Sequence, residues 1–211
     1  MKIVFMGTPD FAVASLDAIC ASGHKVVGVV TVPDRPTGRG LKVTASPVKQ
    51  YALQHNLPLL QPERLRDPDF QSALQAWGAD IFVVVAFRML PQSVWAMPPM
   101  GTFNLHASLL PQFRGAAPIN WAIINGEKET GVTTFLLNER IDEGSILMQQ
   151  STPIAPAVLL TAWKIGCQSS FVRFSMGLLQ LFCDNFRHIP DRQPPVAVPS
   201  DQSSFFADLI S

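Results

Sequence analysis

The sequence predicts an α/β fold in which a mostly parallel sheet carries helices on both faces, and two observations point to it. Short apolar runs alternate with stretches of helical spacing from the N-terminus onward. One run, Ile81-Phe82-Val83-Val84-Val85-Ala86, is apolar without interruption, as a strand covered on both faces must be. Lys2 to Met6 is a short apolar run closed by Gly7, Phe11 to Ala21 has helical spacing and stops near Gly23, and Lys25 to Thr31 is Val-rich. Strand, helix and strand in that order imply parallel pairing through a right-handed crossover. Ser46 to His55 then reads as helix, Leu57 to Leu60 as a brief strand and Phe70 to Trp77 as another helix. Gly101 to His106 is a shorter strand, Asn120 to Asn125 continues a helix, and Val132 to Leu137 and Ser145 to Gln150 supply further strands. In open sheets of this kind ligands gather outside the carboxyl ends of the strands. Gly7, Arg88, His106 and Asp142 all fall in or beside such loops.

The bulk composition bounds the function without naming it. A chain of 211 residues that is 47% hydrophobic can bury a sizeable core. Sixteen basic residues balance 16 acidic ones, so any contact with nucleic acid must come from a local patch. Cys20, Cys167 and Cys183 form neither a metal-binding spacing nor an even disulfide framework, which fits a reducing, cytoplasmic compartment. Met1-Lys2-Ile3-Val4-Phe5 reads as a strand start rather than a signal peptide, and no uncharged apolar run reaches the roughly 18 residues of a membrane helix. No membrane partner and no metal are expected, and the chain is expected to act as a monomer.

Chemistry concentrates in Asn104-Leu105-His106-Ala107-Ser108-Leu109-Leu110-Pro111 and in Asp142 of Ile141-Asp142-Glu143-Gly144. The side-chain period of a strand puts Asn104 and His106 on one face. A carboxamide that can donate to a developing oxyanion then sits beside a base that titrates near neutrality, with a carboxylate to orient it. Each residue alone has a plainer explanation: a core histidine, an asparagine capping a turn, an aspartate in an Asp-Glu-Gly turn. The loop Gly7-Thr8-Pro9-Asp10 has one glycine where a dinucleotide-binding loop would have a G-x-G-x-x-G set, which disfavours a nicotinamide enzyme. Residues 33 to 49 are rich in Pro and Gly and carry Arg35, Arg39, Lys42 and Lys49 with no carboxylate after Asp34. A solvated loop and a phosphate-neutralising arm both fit that pattern. Phe87-Arg88-Met89-Leu90-Pro91 follows the buried strand directly and offers aromatic and aliphatic groups beside exposed backbone, a surface suited to a flat heterocycle.

Taken together, five motifs resemble those of the methionyl-tRNA formyltransferases, in the same order. They are Met6-Gly7-Thr8-Pro9-Asp10-Phe11, Pro33-Asp34-Arg35-Pro36-Thr37-Gly38-Arg39-Gly40, the Asn-x-His-x-Ser-Leu-Leu-Pro run, Arg114-Gly115-Ala116-Ala117-Pro118-Ile119 and Glu129-Thr130-Gly131-Val132-Thr133. The resemblance covers roughly residues 1 to 156. It implies a Rossmann-like catalytic domain that moves a formyl group from 10-formyltetrahydrofolate to the amine of initiator methionyl-tRNA. It further implies Asn104, His106 and Asp142 as catalytic residues, with folate against Phe87, Arg88, Met89, Leu90, Ser108, Leu109, Leu110 and Pro111. Gly7, Thr8 and Pro9 would border the acceptor pocket, and Arg35, Arg39 and Lys42 would meet the tRNA. Phe87-Arg88 departs from the commoner Tyr-Gly wording of the family and is closer to glycinamide-ribonucleotide formyltransferases. Formyl transfer to that ribonucleotide or to a sugar amine, and an inactive folate-binding fragment, are the competing readings.

After residue 156 the composition changes. Residues 157–211 contain no Glu, hold six of the 14 phenylalanines and two of the three cysteines, and crowd prolines between Pro190 and Pro199. The neighbouring reading frame across Ala162 to Cys167 forces a Glu codon from Trp163-Lys164 and admits Leu-Glu-Asp-Arg-Leu, which resembles a helix of the family. A shifted frame giving a poorly packed tail is the expectation, and a divergent but genuine appendage the alternative.

Overall fold

The computed structural model describes residues 1–37, 42–140 and 142–154. The expectations for Arg39 and for the tail after residue 156 lie outside those residues. A seven-stranded sheet organises the domain: β1 (Lys2–Gly7), β2 (Lys25–Val30), β5 (Leu59–Leu60), β6 (Ile81–Val85), β7 (Thr102–His106), β8 (Glu129–Leu136) and β9 (Ile146–Pro153), in the spatial order β5-β2-β1-β6-β7-β8-β9. The pairs from β5 to β7 are parallel, while β7–β8 and β8–β9 are antiparallel. The predicted mostly parallel sheet is thus observed, with an antiparallel pair closing one edge.

Each parallel strand is fed by a helix or turn whose start is written in the sequence. Helix α1 (Asp10–Ala21) follows Pro9 and opens with an acidic residue, favourable at the positive end of a helix. Helix α2 (Pro47–Gln54) begins at the N-cap Ser46, whose hydroxyl accepts from the Lys49 N–H at 3.1 Å, with Pro47 in the first turn. Helix α3 (Pro68–Ala76) repeats the device with Asp67 and Pro68. The short α4 (Gln92–Trp95) and α5 (Pro118–Ile124) complete the helices among the described residues.

The sheet separates two cores. Ile3, Phe5, Leu16, Ile19, Val83, Phe103 and Leu105 pack on one face, and Val4, Met6, Phe70, Leu74, Phe82, Val84 and Val94 on the other. That division follows the two-residue side-chain period of β1, β6 and β7, and all five residues of β6 are buried. At Gly7 an added Cβ would lie 2.8 Å from the Ala12 Cβ, so the strand-to-helix turn needs a residue without one.

Residues 33 to 49 are not wholly a loop. Arg35–Thr37 (β3) and Lys42–Thr44 (β4) pair antiparallel, with Arg35 opposite Thr44. A three-residue strand containing Pro36 carries too little alternating pattern to be read from sequence.

Candidate active site

A cleft of about 880 Å³ opens at the carboxyl ends of β6 and β7 and is lined by residues of both strands' following loops. Asn104 and His106 line it together, as their shared strand face requires, and Asp142 reaches it from the loop between β8 and β9. All three predicted catalytic residues therefore meet in one cleft. The Asn104 carboxamide forms no side-chain hydrogen bond to another described residue, so its donor and acceptor stay available to a ligand.

His106 is 7% exposed and is held at Nε2. Its Nε2 lies 2.9 Å from the Phe113 carbonyl oxygen, and its Nδ1 lies 3.8 Å from Asp142 Oδ2. A carbonyl only accepts, so Nε2 carries the hydrogen, and a neutral ring presents its lone pair at Nδ1 toward Asp142.

The loops that hold this geometry are strongly constrained. Phe113, Ala117 and Asp142 adopt positive φ of 56°, 54° and 50°, and Ala86 does so at 48° just after β6. Ala86, Ala117 and Asp142 line the cleft, and Phe113 supplies the carbonyl to His106. Left-handed non-glycine residues gathered at one cleft need a surrounding structure that enforces them. Beneath the loop, buried Thr133 donates to the Ser108 carbonyl at 2.7 Å and accepts from the Leu110 N–H at 3.0 Å. The Gln149 amide adds bonds to the Leu110 carbonyl at 2.7 Å and to Thr133 at 2.9 Å. Thr133 stands opposite His106 in the β7–β8 register. Thr133 closes the Glu129–Thr133 motif, but nothing in the sequence assigns its hydroxyl a partner, and Gln149 carries no motif at all.

The opposite wall is apolar. Phe87, Arg88, Met89 and Leu90 line the cleft with Trp95, as the sequence reading anticipated for that segment. Arg88 donates from its terminal nitrogens to the carbonyls of Pro62 at 2.7 Å and Glu63 at 3.0 Å, and its guanidinium carbon stands 5.4 Å from the Phe87 ring centre. Burial pulls the Arg88 guanidinium below its ordinary pKa, the positive charge of Arg35 adds to that, and Glu63 opposes it.

Other predicted residues are placed differently. Ser108, Leu109, Leu110 and Pro111 do not line the cleft; Ser108 is fully buried and its hydroxyl donates to the Gln112 carbonyl at 2.7 Å. Several polar groups of this tetrapeptide engage Thr133, Gln149 and Gln112, which braces the segment. Of Gly7, Thr8 and Pro9, Pro9 alone lines the cleft. Arg35 is exposed on β3, outside the cleft wall, and Lys42 starts β4. Among the described residues no group of three or more His, Cys, Asp and Glu could hold a metal, and no helix is long and apolar enough to cross a membrane.

Residues 1–162 match the sequence model of a family described as formyl transferase. This chain belongs to the formyl transferase family. It is 66% identical over 154 residues to the methionyl-tRNA formyltransferase of Azobacteroides pseudotrichonymphae genomovar. CFP2, covering 72% of this chain and 48% of that protein. It is 45% identical over 211 residues to the methionyl-tRNA formyltransferase of Porphyromonas gingivalis (strain ATCC BAA-308 / W83), covering 99% of this chain and 62% of that one. The chain spans about half the length of the first of these relatives. Among solved formyltransferase structures, phosphoribosylglycinamide formyltransferase from Bacillus halodurans superimposes with a TM-score of 0.73 at 21% identity, over 86% of this chain and 95% of that one. The sugar 3N-formyl transferase WlaRD superimposes at 0.65 with 20% identity, over 88% and 64%. At such identities the likeness is one of fold, and it places the seven-stranded sheet in the formyltransferase class.

Proposed function

We propose that this chain transfers a formyl group from 10-formyltetrahydrofolate to the amino group of initiator methionyl-tRNA, serving translation initiation. The observation that carries the reading is the convergence of Asn104, His106 and Asp142 on one cleft in a formyl transferase chain whose relatives of high identity are named for that acceptor. A flat pterin suits the wall formed by Phe87, Met89, Leu90 and Trp95, beside the left-handed Ala86, and the cleft volume lies in the range of small-molecule sites.

The bound donor supplies an activated formyl carbon. When an amine adds to that carbon, negative charge grows on the formyl oxygen, and the uncommitted Asn104 amide is the donor available to meet it. The amine must also lose a proton. His106 accepts it at Nδ1, the atom that Phe113 leaves free, Asp142 stabilises the resulting imidazolium, and the same proton passes to the donor's N10 as the oxyanion collapses and the C–N10 bond breaks, leaving the formamide and tetrahydrofolate. A buried ring already held at Nε2 spends no reorganisation on this step. In this reading the acceptor amine enters past Pro9, which lines the cleft, and the basic arm with Arg35, Arg39 and Lys42 neutralises phosphates of the nucleic acid.

The test is a formylation assay of the purified chain with 10-formyltetrahydrofolate and charged initiator tRNA, with glycinamide ribonucleotide and an amino sugar as rival acceptors. Transfer to the tRNA supports the reading, and transfer only to a rival acceptor replaces it. Folate binding without turnover on any acceptor makes the chain an inactive binding fragment. Asn104→Ala should reduce turnover about a hundredfold, on the order of 3 kcal/mol, while folate affinity stays within about twofold. Undiminished turnover removes Asn104 from the assignment.

A further inference from the structure

We propose that Arg114 is a positioning residue that sets the carboxylate of Asp142 against His106. The proposal rests on the formyl-transfer reading for its kinetic consequence, though its geometry can be tested without turnover. Asp142 is the member of the catalytic trio whose placement local sequence secures least. It sits in a loop, not a strand, and holds a φ of 50°, which a side chain with a Cβ seldom adopts without support.

Two bonds from a neighbouring loop supply that support. Arg114 Nε donates to the Asp142 carbonyl at 3.0 Å, and the Gly115 N–H donates to Asp142 Oδ2 at 2.8 Å. The first fixes the main chain of Asp142 and the second fixes its side chain. Oδ2 is also the oxygen that lies 3.8 Å from His106 Nδ1, so the aim of the carboxylate depends on both bonds. Gly115 can present its N–H because it takes a φ of 84°, and an added Cβ there would meet no neighbouring atom. Its requirement for glycine is therefore conformational and not steric.

The guanidinium does more than contribute charge. While Nε holds the carbonyl, Nη1 bonds Glu143 Oε1 at 3.1 Å, and Glu143 in turn meets Arg140 at 3.4 Å. One planar group thus grips two consecutive residues of the loop through two of its nitrogens. A lysine ammonium offers a single point of attachment on a flexible stem and cannot reproduce that fork. Arg114 itself is exposed and is not part of the cleft wall, so it acts through Asp142.

The experiment compares Arg114→Lys, Arg114→Ala and Asp142→Asn in the full chain, with two measurements. The first is the NMR signal of the Gly115 amide and of the His106 ring nitrogens in the unliganded protein. Both Arg114 variants should move these signals from their wild-type positions toward those of Asp142→Asn. The second is formylation kinetics. Arg114→Lys and Arg114→Ala should each lower kcat at least about tenfold, with KM for the formyl donor within about twofold, as expected when a transition-state interaction is lost and uniform binding is kept. Lysine should not rescue. Wild-type positions of the Gly115 and His106 signals in Arg114→Lys overturn the proposal, whether or not the chain is active. So does a wild-type kcat in that variant. An inactive wild-type chain ends the formyl-transfer reading instead, and the NMR comparison still decides the geometry.

Discussion

Two segments outside the carboxyl edge of the sheet are fastened in different ways. Residues 106–113 are tied to the interior: Thr133 and Ser108 are fully buried, and the Thr133 bonds to the loop backbone are buried with them. The β3–β4 arm is tied at its base by groups nearer solvent. Asp34 pairs with Lys49 at 2.5 Å and accepts from Gln61 at 2.9 Å, both near solvent, and the Thr31–Ser46 contact at 2.8 Å is the buried bond at this base. A buried bond cannot be exchanged for one to water, whereas an exposed bond can. The comparison teaches that the domain invests its costly interactions in the loop that aims His106. The arm proposed to meet nucleic acid is held at its base chiefly by the Asp34 pair and its neighbours.

The contrast predicts unequal penalties. Thr133→Val keeps the shape but leaves the Leu110 N–H and Ser108 carbonyl without their partner. It should destabilise the protein by roughly 2–4 kcal/mol in denaturant unfolding, with turnover falling as the Phe113 carbonyl drifts from His106. A loss below about 0.5 kcal/mol, within the range of ordinary surface substitutions, would erase the distinction between the two segments. Ser46→Ala comes next. It removes the cap of α2 together with the Thr31 contact at the base of the arm, and should cost about 1 kcal/mol with kcat unchanged. A drop in kcat as large as that of Thr133→Val would show that the arm and the catalytic loop are coupled.

Much of this design is legible in the sequence, for reasons that differ by residue. The uninterrupted apolar run of β6 and the two-residue period that pairs Asn104 with His106 are properties of side chains, and both the strand and the shared face are found. The antiparallel hairpin of Arg35–Thr37 with Lys42–Thr44 escapes because three-residue strands have no buried face to leave a pattern. Ser108 illustrates a different limit. A hydroxyl beside a cleft reads equally as ligand contact or as loop brace, and the bond to the Gln112 carbonyl is not foreseeable from residue type. The partner of His106 Nε2 is a main-chain carbonyl, which every residue possesses. Its identity depends on the left-handed turn at Phe113, and no residue type announces that turn.

The smallest expected effect belongs to Asp34. The hydrogen bond from Lys49, then that from Gln61, holds its carboxyl below the usual carboxylate range, and Lys49's charge adds to this. A group whose folded value is depressed contributes stability above its unfolded value, near 4 for aspartate, and loses it as pH falls through the folded value. Asp34→Asn should therefore lower the thermal midpoint slightly at neutral pH, and the gap from wild type should close under acid as Asp34 itself takes up a proton. Added salt should narrow the gap as well, because both partners reach solvent. Thr133→Val should show neither trend, since no ionisable group takes part in its bonds. A gap for Asp34→Asn that widens on acidification, or that ignores salt, would mean the arm is anchored by something other than this ion pair.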